Sequence, residues 1–259
     1  MKDFAPVYGP VRSWRYGLSL GIDPIGLVST CSFNCVYCQL GQIERSFLQR
    51  QTFVPTADIL SLVEKKIDPT LDVITISGSG EPTLASNLGE IITAIKRITD
   101  IPLVVLTNGS LLGLETLRSD LELADEVSIK LDGITKERID RVNRPAFVWD
   151  WEQLLCHLSA LRQSFRGKMT IQTMLLSIWS EQERRAYIDG LNDIQPDRVY
   201  LNTPRRPKPK QRLINGRENL TTIDGASWFK PIDFDYIATF AEEIKNRSGL
   251  PVSFVVGNE

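Results

Sequence analysis

Six apolar runs rich in β-branched residues recur along the chain: GLVST before Cys31, DVITIS from Asp72, PLVVLTN from Pro102, EVSIKL from Glu126, MTIQTMLL from Met169 and RVYLNT from Arg198. Each reads as a buried strand. The stretches between them carry helical spacing, at Ala57 to Lys66, Leu88 to Ile98, Trp151 to Arg162 and Glu181 to Ile194, with starts near Thr56, Asn87, Asp150 and Ser180. Alternating strands and helices require a parallel sheet with crossover helices, and six such units predict an α/β fold, a partial (β/α)6 barrel of parallel strands. An open doubly wound sheet is the structural alternative. Residues 1–24 and 206–259 read as N- and C-terminal extensions of one domain whose core is 25–205. The C-terminal extension is proline-rich and charged before a last helix and the strand-like PVSFVV.

Composition adds little that would redirect this reading. The chain has 259 residues, 42% hydrophobic and 24% charged, with a formal net charge of -2. That suits a full hydrophobic core and gives no protein-wide positive field for nucleic acid or anionic membrane. The N-terminus lacks the apolar core of a signal peptide and no segment is long enough to span a membrane, so a cytoplasmic protein is expected.

Chemistry concentrates in CSFNCVYC, where Cys31, Cys35 and Cys38 account for three of the four cysteines. Thiolates this close select a soft metal centre, zinc or iron–sulfur, and three protein ligands leave one position open. Spacing favours iron–sulfur. A structural zinc needs a fourth ligand, and the remaining cysteine and the single histidine, Cys156 and His157, sit together in an amphipathic helix, where they read as a buried thiol and a helix histidine.

Polar groups also gather at the carboxyl ends of the predicted strands, where βα-barrel sites are assembled. The second strand is followed by Ser77-Gly78-Ser79-Gly80-Glu81, in which glycine permits close backbone approach and which otherwise reads as a plain βα turn. Thr107 and Asn108 follow the third. Ser128, Lys130 and Asp132 alternate along the fourth and share a face. Gln172 and Thr173 interrupt the fifth, and Asn202, Thr203, Arg205 and Arg206 follow the sixth.

CSFNCVYC, with Tyr37 before its third cysteine, resembles the cysteine signature of radical S-adenosylmethionine (SAM) enzymes. The resemblance implies a [4Fe-4S] cluster with three irons on Cys31, Cys35 and Cys38. SAM then chelates the fourth iron, and reductive cleavage yields a 5′-deoxyadenosyl radical acting on an unidentified RNA, peptide or small molecule. Ser77 to Thr83 resembles the superfamily's Gly-Glu motif, which implies that Gly78, Gly80 and Glu81 meet the methionyl end. Lys130 would balance the cofactor carboxylate, with Ser128 or Asp132 at carboxylate or ribose and Thr107 and Asn108 nearby.

YGPVRSWRYGLSLGIDP, GSGEPTL, TNGSLL, RVNRP and NTPRRPKP narrow the resemblance to the wyosine-synthase-like branch, with Arg12, Arg15, Asn143 and Arg144 in its pattern. Wyosine-forming enzymes bind a second cluster through additional N-terminal cysteines. None precedes Cys31, so that cluster and its pyruvate-dependent reaction are not implied. Electrons are expected from a separate ferredoxin or flavodoxin-like carrier. Arg205, Arg206, Lys208, Lys210, Arg212 and Arg217, spaced by prolines, offer a place for RNA phosphates, although such runs are more often simply solvated. The competing reading is a zinc-stabilised RNA-binding module without enzymatic activity.

Overall fold

A computed structural model describes residues 4–218, 220 and 222–255. The chain opens with a hairpin, β1 (Val7–Ser13) and β2 (Gly17–Ile22), followed by two short paired strands, β3 (Thr30–Cys31) and β4 (Arg45–Ser46). Then come α1 (Thr56–Lys66), β5 (Val73–Ile76), α2 (Leu88–Lys96), β6 (Leu103–Thr107), α3 (Glu115–Leu121), β7 (Glu126–Lys130) and α4 (Lys136–Val142). The remainder is α5 (Trp151–Ser164), β8 (Lys168–Met174), α6 (Glu181–Ile194), β9 (Arg198–Asn202), α7 (Phe234–Ser248) and β10 (Val252–Phe254). Eight strands form one curled sheet in the order β1-β2-β5-β6-β7-β8-β9-β10, parallel except for the β1–β2 pair. It is a half-barrel.

Alternation along the strands divides the sheet into two unlike faces. Leu20, Ile22, Ile74, Ile76, Val105, Val127, Ile129, Met169, Ile171, Val199 and Leu201 are fully buried on the convex face. Ile59, Ile91, Leu117, Leu158, Leu191 and Phe240 of the helices join them in one core. Each such side chain contributes roughly 1.5–3 kcal/mol by leaving water. The concave face is polar. Ser128 lies opposite Thr170, and Lys130 opposite Gln172. Ser128 Oγ lies 2.8 Å from Thr170 Oγ1 and accepts from Gln172 Nε2 at 2.6 Å, and Ser19 and Thr75 hydroxyls bond at 2.8 Å. Thr173, by contrast, is buried on the convex side, where its hydroxyl donates to Leu131 O.

The four predicted helix starts fall at or next to Thr56, Asn87, Asp150 and Ser180, and the last two carry side-chain caps. Asp150 accepts from Gln153 N, and Ser180 forms a reciprocal capping box with Glu183. Three expectations need correction. The first parallel strand is Gly17–Ile22, inside the segment taken as an extension, whereas GLVST contributes only the start of β3 at Thr30. GLSLGI escapes an apolar reading because Ser19 and Gly21 occupy its concave side. Helices α3 and α4, seven residues each, are too short for a clear period. Cys156 is exposed on α5, not buried. No helix among the described residues is long and apolar enough to cross a membrane.

Candidate functional site

The cysteine loop crosses the carboxyl end of the sheet and is held on both sides by backbone hydrogen bonds. On one side Thr30 N donates to Ser79 O at 3.0 Å and Glu81 N to Thr30 O at 3.0 Å. On the other, Asn34 N reaches Asn143 O at 3.0 Å and Val36 N reaches Val142 O at 2.9 Å, at the end of α4. Arg144 turns the chain there in the left-handed region, at φ 49, a conformation uncommon for a residue with a Cβ. Within the loop, Cys38 N bonds to Cys35 O and Gly41 N to Cys38 O, closing two tight turns.

Nitrogen donors are aimed at the sulfurs. Asn108 Nδ2 lies 3.6 Å from Cys31 Sγ, and Phe33 N donates to that sulfur at 3.3 Å. Lys130 Nζ and Asn143 Nδ2 each lie 3.5 Å from Cys35 Sγ. Asp132, almost fully buried, ties these groups together: it accepts from Tyr37 Oη at 2.5 Å, Asn143 Nδ2 at 2.7 Å and Met174 N at 2.8 Å, and pairs with Lys130. Burial alone would lower the Lys130 ammonium, but Asp132 and Cys35 outweigh it and raise the group, which stays charged. Burial also pushes the Cys31 thiol up, and the Cys38 thiol to about 11. Thiols so placed stay protonated at neutral pH until a metal binds the sulfur and displaces the proton to solvent.

Glu81 is turned inward. One oxygen accepts from Thr83 N and Oγ1 and from Thr107 Oγ1 at 2.7 Å, and the other from Asn108 N at 2.8 Å. Burial raises this carboxyl, opposed by the hydrogen bonds. The glycines before it approach protein rather than open space. A Cβ on Gly80 would stand 1.7 Å from Thr30 O, and one on Gly78, at φ +115, would strike Asp23. Cys31, Cys35, Glu81, Thr107, Asn108, Lys130 and Asp132 therefore belong to one bonded constellation, while Ser128 lies deeper on the concave wall.

The basic run folds over this loop. Arg206 Nη1 donates to Gln39 Oε1 at 2.6 Å, Lys208 Nζ to Cys35 O at 3.2 Å, and Arg212 Nη2 to Ser79 Oγ at 2.7 Å. Arg217 pairs with buried Asp23 at 3.0 Å. Lys210 and Arg12 are exposed. Alternating charge and proline is compatible with solvent, and nothing in it announced these long-range contacts. A cavity of about 980 Å³ opens beside the loop, lined by Val36, Arg138, Val142, Arg144, Leu176 and Lys208 among others. It does not include Glu81, Ser128 or Lys130.

A curled parallel sheet with a three-cysteine loop across its carboxyl end is the architecture of one large enzyme class. Residues 25–191 match the family model of the Radical SAM superfamily, and the chain belongs to it. Within that class it belongs to the UPF0026 family. It is 48% identical over 253 residues to a UPF0026 protein of Synechocystis sp., covering 96% of each chain. A UPF0026 protein of Methanocaldococcus jannaschii is 34% identical, over 80% of this chain and 65% of that one. The fold is similar to that of Streptococcus suis SuiB, solved bound to S-adenosylmethionine, with TM-score 0.63 and 13% identity, covering 88% of this chain and 48% of that one. Membership makes the protein an enzyme whose cofactors are a [4Fe-4S] cluster and SAM, and which needs an external reductant.

Proposed function

We propose that Cys31, Cys35 and Cys38 hold three irons of the cluster, with SAM on the fourth, and that the polar half-barrel presents a substrate to it. The observation that carries the ligand assignment is the set of N–H donors at the sulfurs of Cys31 and Cys35. Such donors favour thiolate over thiol and tune a cluster's potential. A closed zinc site needs a fourth protein ligand, and the remaining thiol, Cys156, lies exposed on α5 with His157 beside it, so the three-thiolate loop favours a cluster over the zinc module.

When bound, the reduced cluster supplies the electron that splits the cofactor's sulfur–carbon bond into methionine and a 5′-deoxyadenosyl radical. The chain's own residues prepare the place. Lys130 keeps its proton on Nζ and offsets negative charge at Cys35, while Asp132 fixes Lys130, Tyr37 and Asn143 in mutual register. Glu81 locks the ends of β5 and β6 beneath the loop. Its four internal donors support a positioning role and leave little capacity for the methionyl ammonium. The cavity beside Val36 offers room for the rest of the cofactor.

A ferredoxin or flavodoxin-like carrier is part of this proposal, as is kinship with the wyosine-forming branch, supported by the motifs from Tyr8 to Pro209. Among RNA, peptide and small-molecule substrates, RNA draws least support: Arg206, Lys208, Arg212 and Arg217 are engaged within the chain. Protein reconstituted without oxygen should be brown, hold about four irons with matching sulfide, and release 5′-deoxyadenosine from SAM under strong reductant. Cys35→Ala should lose both iron and product. A colourless protein with stoichiometric zinc, or product formation unaffected by Cys35→Ala, sinks the proposal.

A further inference from the structure

The turn joining β1 to β2 lies at the amino-terminal end of the parallel strands and crosses the floor of the half-barrel. Trp14 meets Tyr200 of β9 edge to face with ring centroids 5.7 Å apart, and Tyr16 meets the same ring at 6.0 Å. Tyr16 Oη also donates to Glu126 Oε1, on the first residue of β7, at 2.7 Å. These contacts carry the sheet's first edge across to its far side. They bring Arg15 with them.

The Arg15 guanidinium lies 5.4 Å from the Trp14 ring centre and 5.8 Å from that of Tyr16. Two aromatic neighbours restrain it. Its Nε is nevertheless buried without a hydrogen-bond partner, a costly arrangement for a cationic donor. Glu126, the acid on that side, already accepts from Tyr16 and from Thr170 Oγ1. An anion in this chamber would satisfy the orphaned donor.

We propose that Arg15 binds an oxyanion of the substrate, a carboxylate or phosphate. The inference deepens the reading above and rests on it. Glu126 and Lys130 mark the floor and the cluster end of β7, so the rise of the strand sets them about 13 Å apart. The substrate is therefore elongated, with its anionic group on the order of 10 Å from the atom that reacts.

The test titrates inorganic phosphate into cluster-loaded protein by calorimetry, with and without saturating SAM. Wild type should bind phosphate with an affinity on the order of millimolar, equally well with SAM present. Arg15→Gln should weaken binding at least about tenfold, and Arg162→Gln, a surface arginine paired with Asp197, should not. Arg15→Lys serves if the glutamine variant does not fold: its charge without the planar fork predicts about threefold weaker binding. Absence of phosphate binding, or equal affinity in the Arg15 variants, overturns the proposal. Displacement of phosphate by SAM also overturns it, because Arg15 would then serve the cofactor's carboxylate. Iron content and 5′-deoxyadenosine release are read separately, so failure of the cluster assignment is recognised on its own.

Discussion

Replacing Gly80 by alanine separates two uses of the same glycine. The added Cβ would stand 1.7 Å from Thr30 O and 2.5 Å from Thr30 C, where ordinary contacts begin near 3.4 Å. The separation must double, and both obstructing atoms are backbone. Relief requires the Thr30 strand to retreat, which breaks the bonds from Thr30 N to Ser79 O and from Glu81 N to Thr30 O, both 3.0 Å. Overpacking costs roughly 1–3 kcal/mol and each lost hydrogen bond about 1 kcal/mol, so about 3–5 kcal/mol in all. Because Thr30 precedes Cys31, cluster loading should fall with stability. The assay is urea unfolding of the metal-free protein, where the midpoint should drop by about 1 M or more, followed by iron content after reconstitution. Gly113→Ala is the control: its Cβ meets only the tip of the His157 ring, at 2.8 Å, which can turn aside. An unchanged midpoint for Gly80→Ala in metal-free protein, with SAM cleavage lost, would refute the reasoning. Gly80 would then exist for ligand approach, not for docking the loop.

Arg217→Ala should destabilise the protein by roughly 3–5 kcal/mol, because it leaves the Asp23 carboxylate buried and unpaired. Lys245→Ala, at an exposed pair with Glu242, should cost within about 0.5 kcal/mol by the same denaturation assay. His157 is the only histidine, and burial followed by Arg118 lowers its folded-state pKa below the usual 6.5. The neutral form is thus favoured by folding, so its contribution is present above pH 6.5 and is lost as pH falls through the lower folded value. A shallow decline in stability below pH 6.5 should flatten in His157→Gln, measured by thermal unfolding across pH 5 to 8.

What the sequence disclosed depended on whether local pattern and tertiary role coincide. SIKLDG showed its alternation openly, and Ser128 and Lys130 do share the concave face because strand geometry leaves no other choice. Asp150 and Ser180 announced their helices because capping is decided within four residues. Gly80 was legible as a close approach, but a glycine does not say whether ligand or backbone comes near. Glu81 was visible as an acid following a strand, yet its burial and its four donors, which come from two separate turns, were not. The β1–β2 hairpin and its aromatic bridge to Tyr200 were hidden, since Trp14 and Tyr200 are 186 positions apart. The basic run misled for the same reason: composition records charge, and only the fold reveals that Lys208 reaches back to Cys35.

That long reach has a consequence in time. Arg206, Lys208, Arg212 and Leu213 complete the casing of a loop that began at Cys31, so the cysteines leave the ribosome well before the residues that enclose them. At synthesis speeds of about 5–20 residues per second, the thiols wait on the order of ten seconds or more for that cover. Maturation therefore has an order: an iron–sulfur donor acting early meets an open loop, and one acting late must work through a closed one.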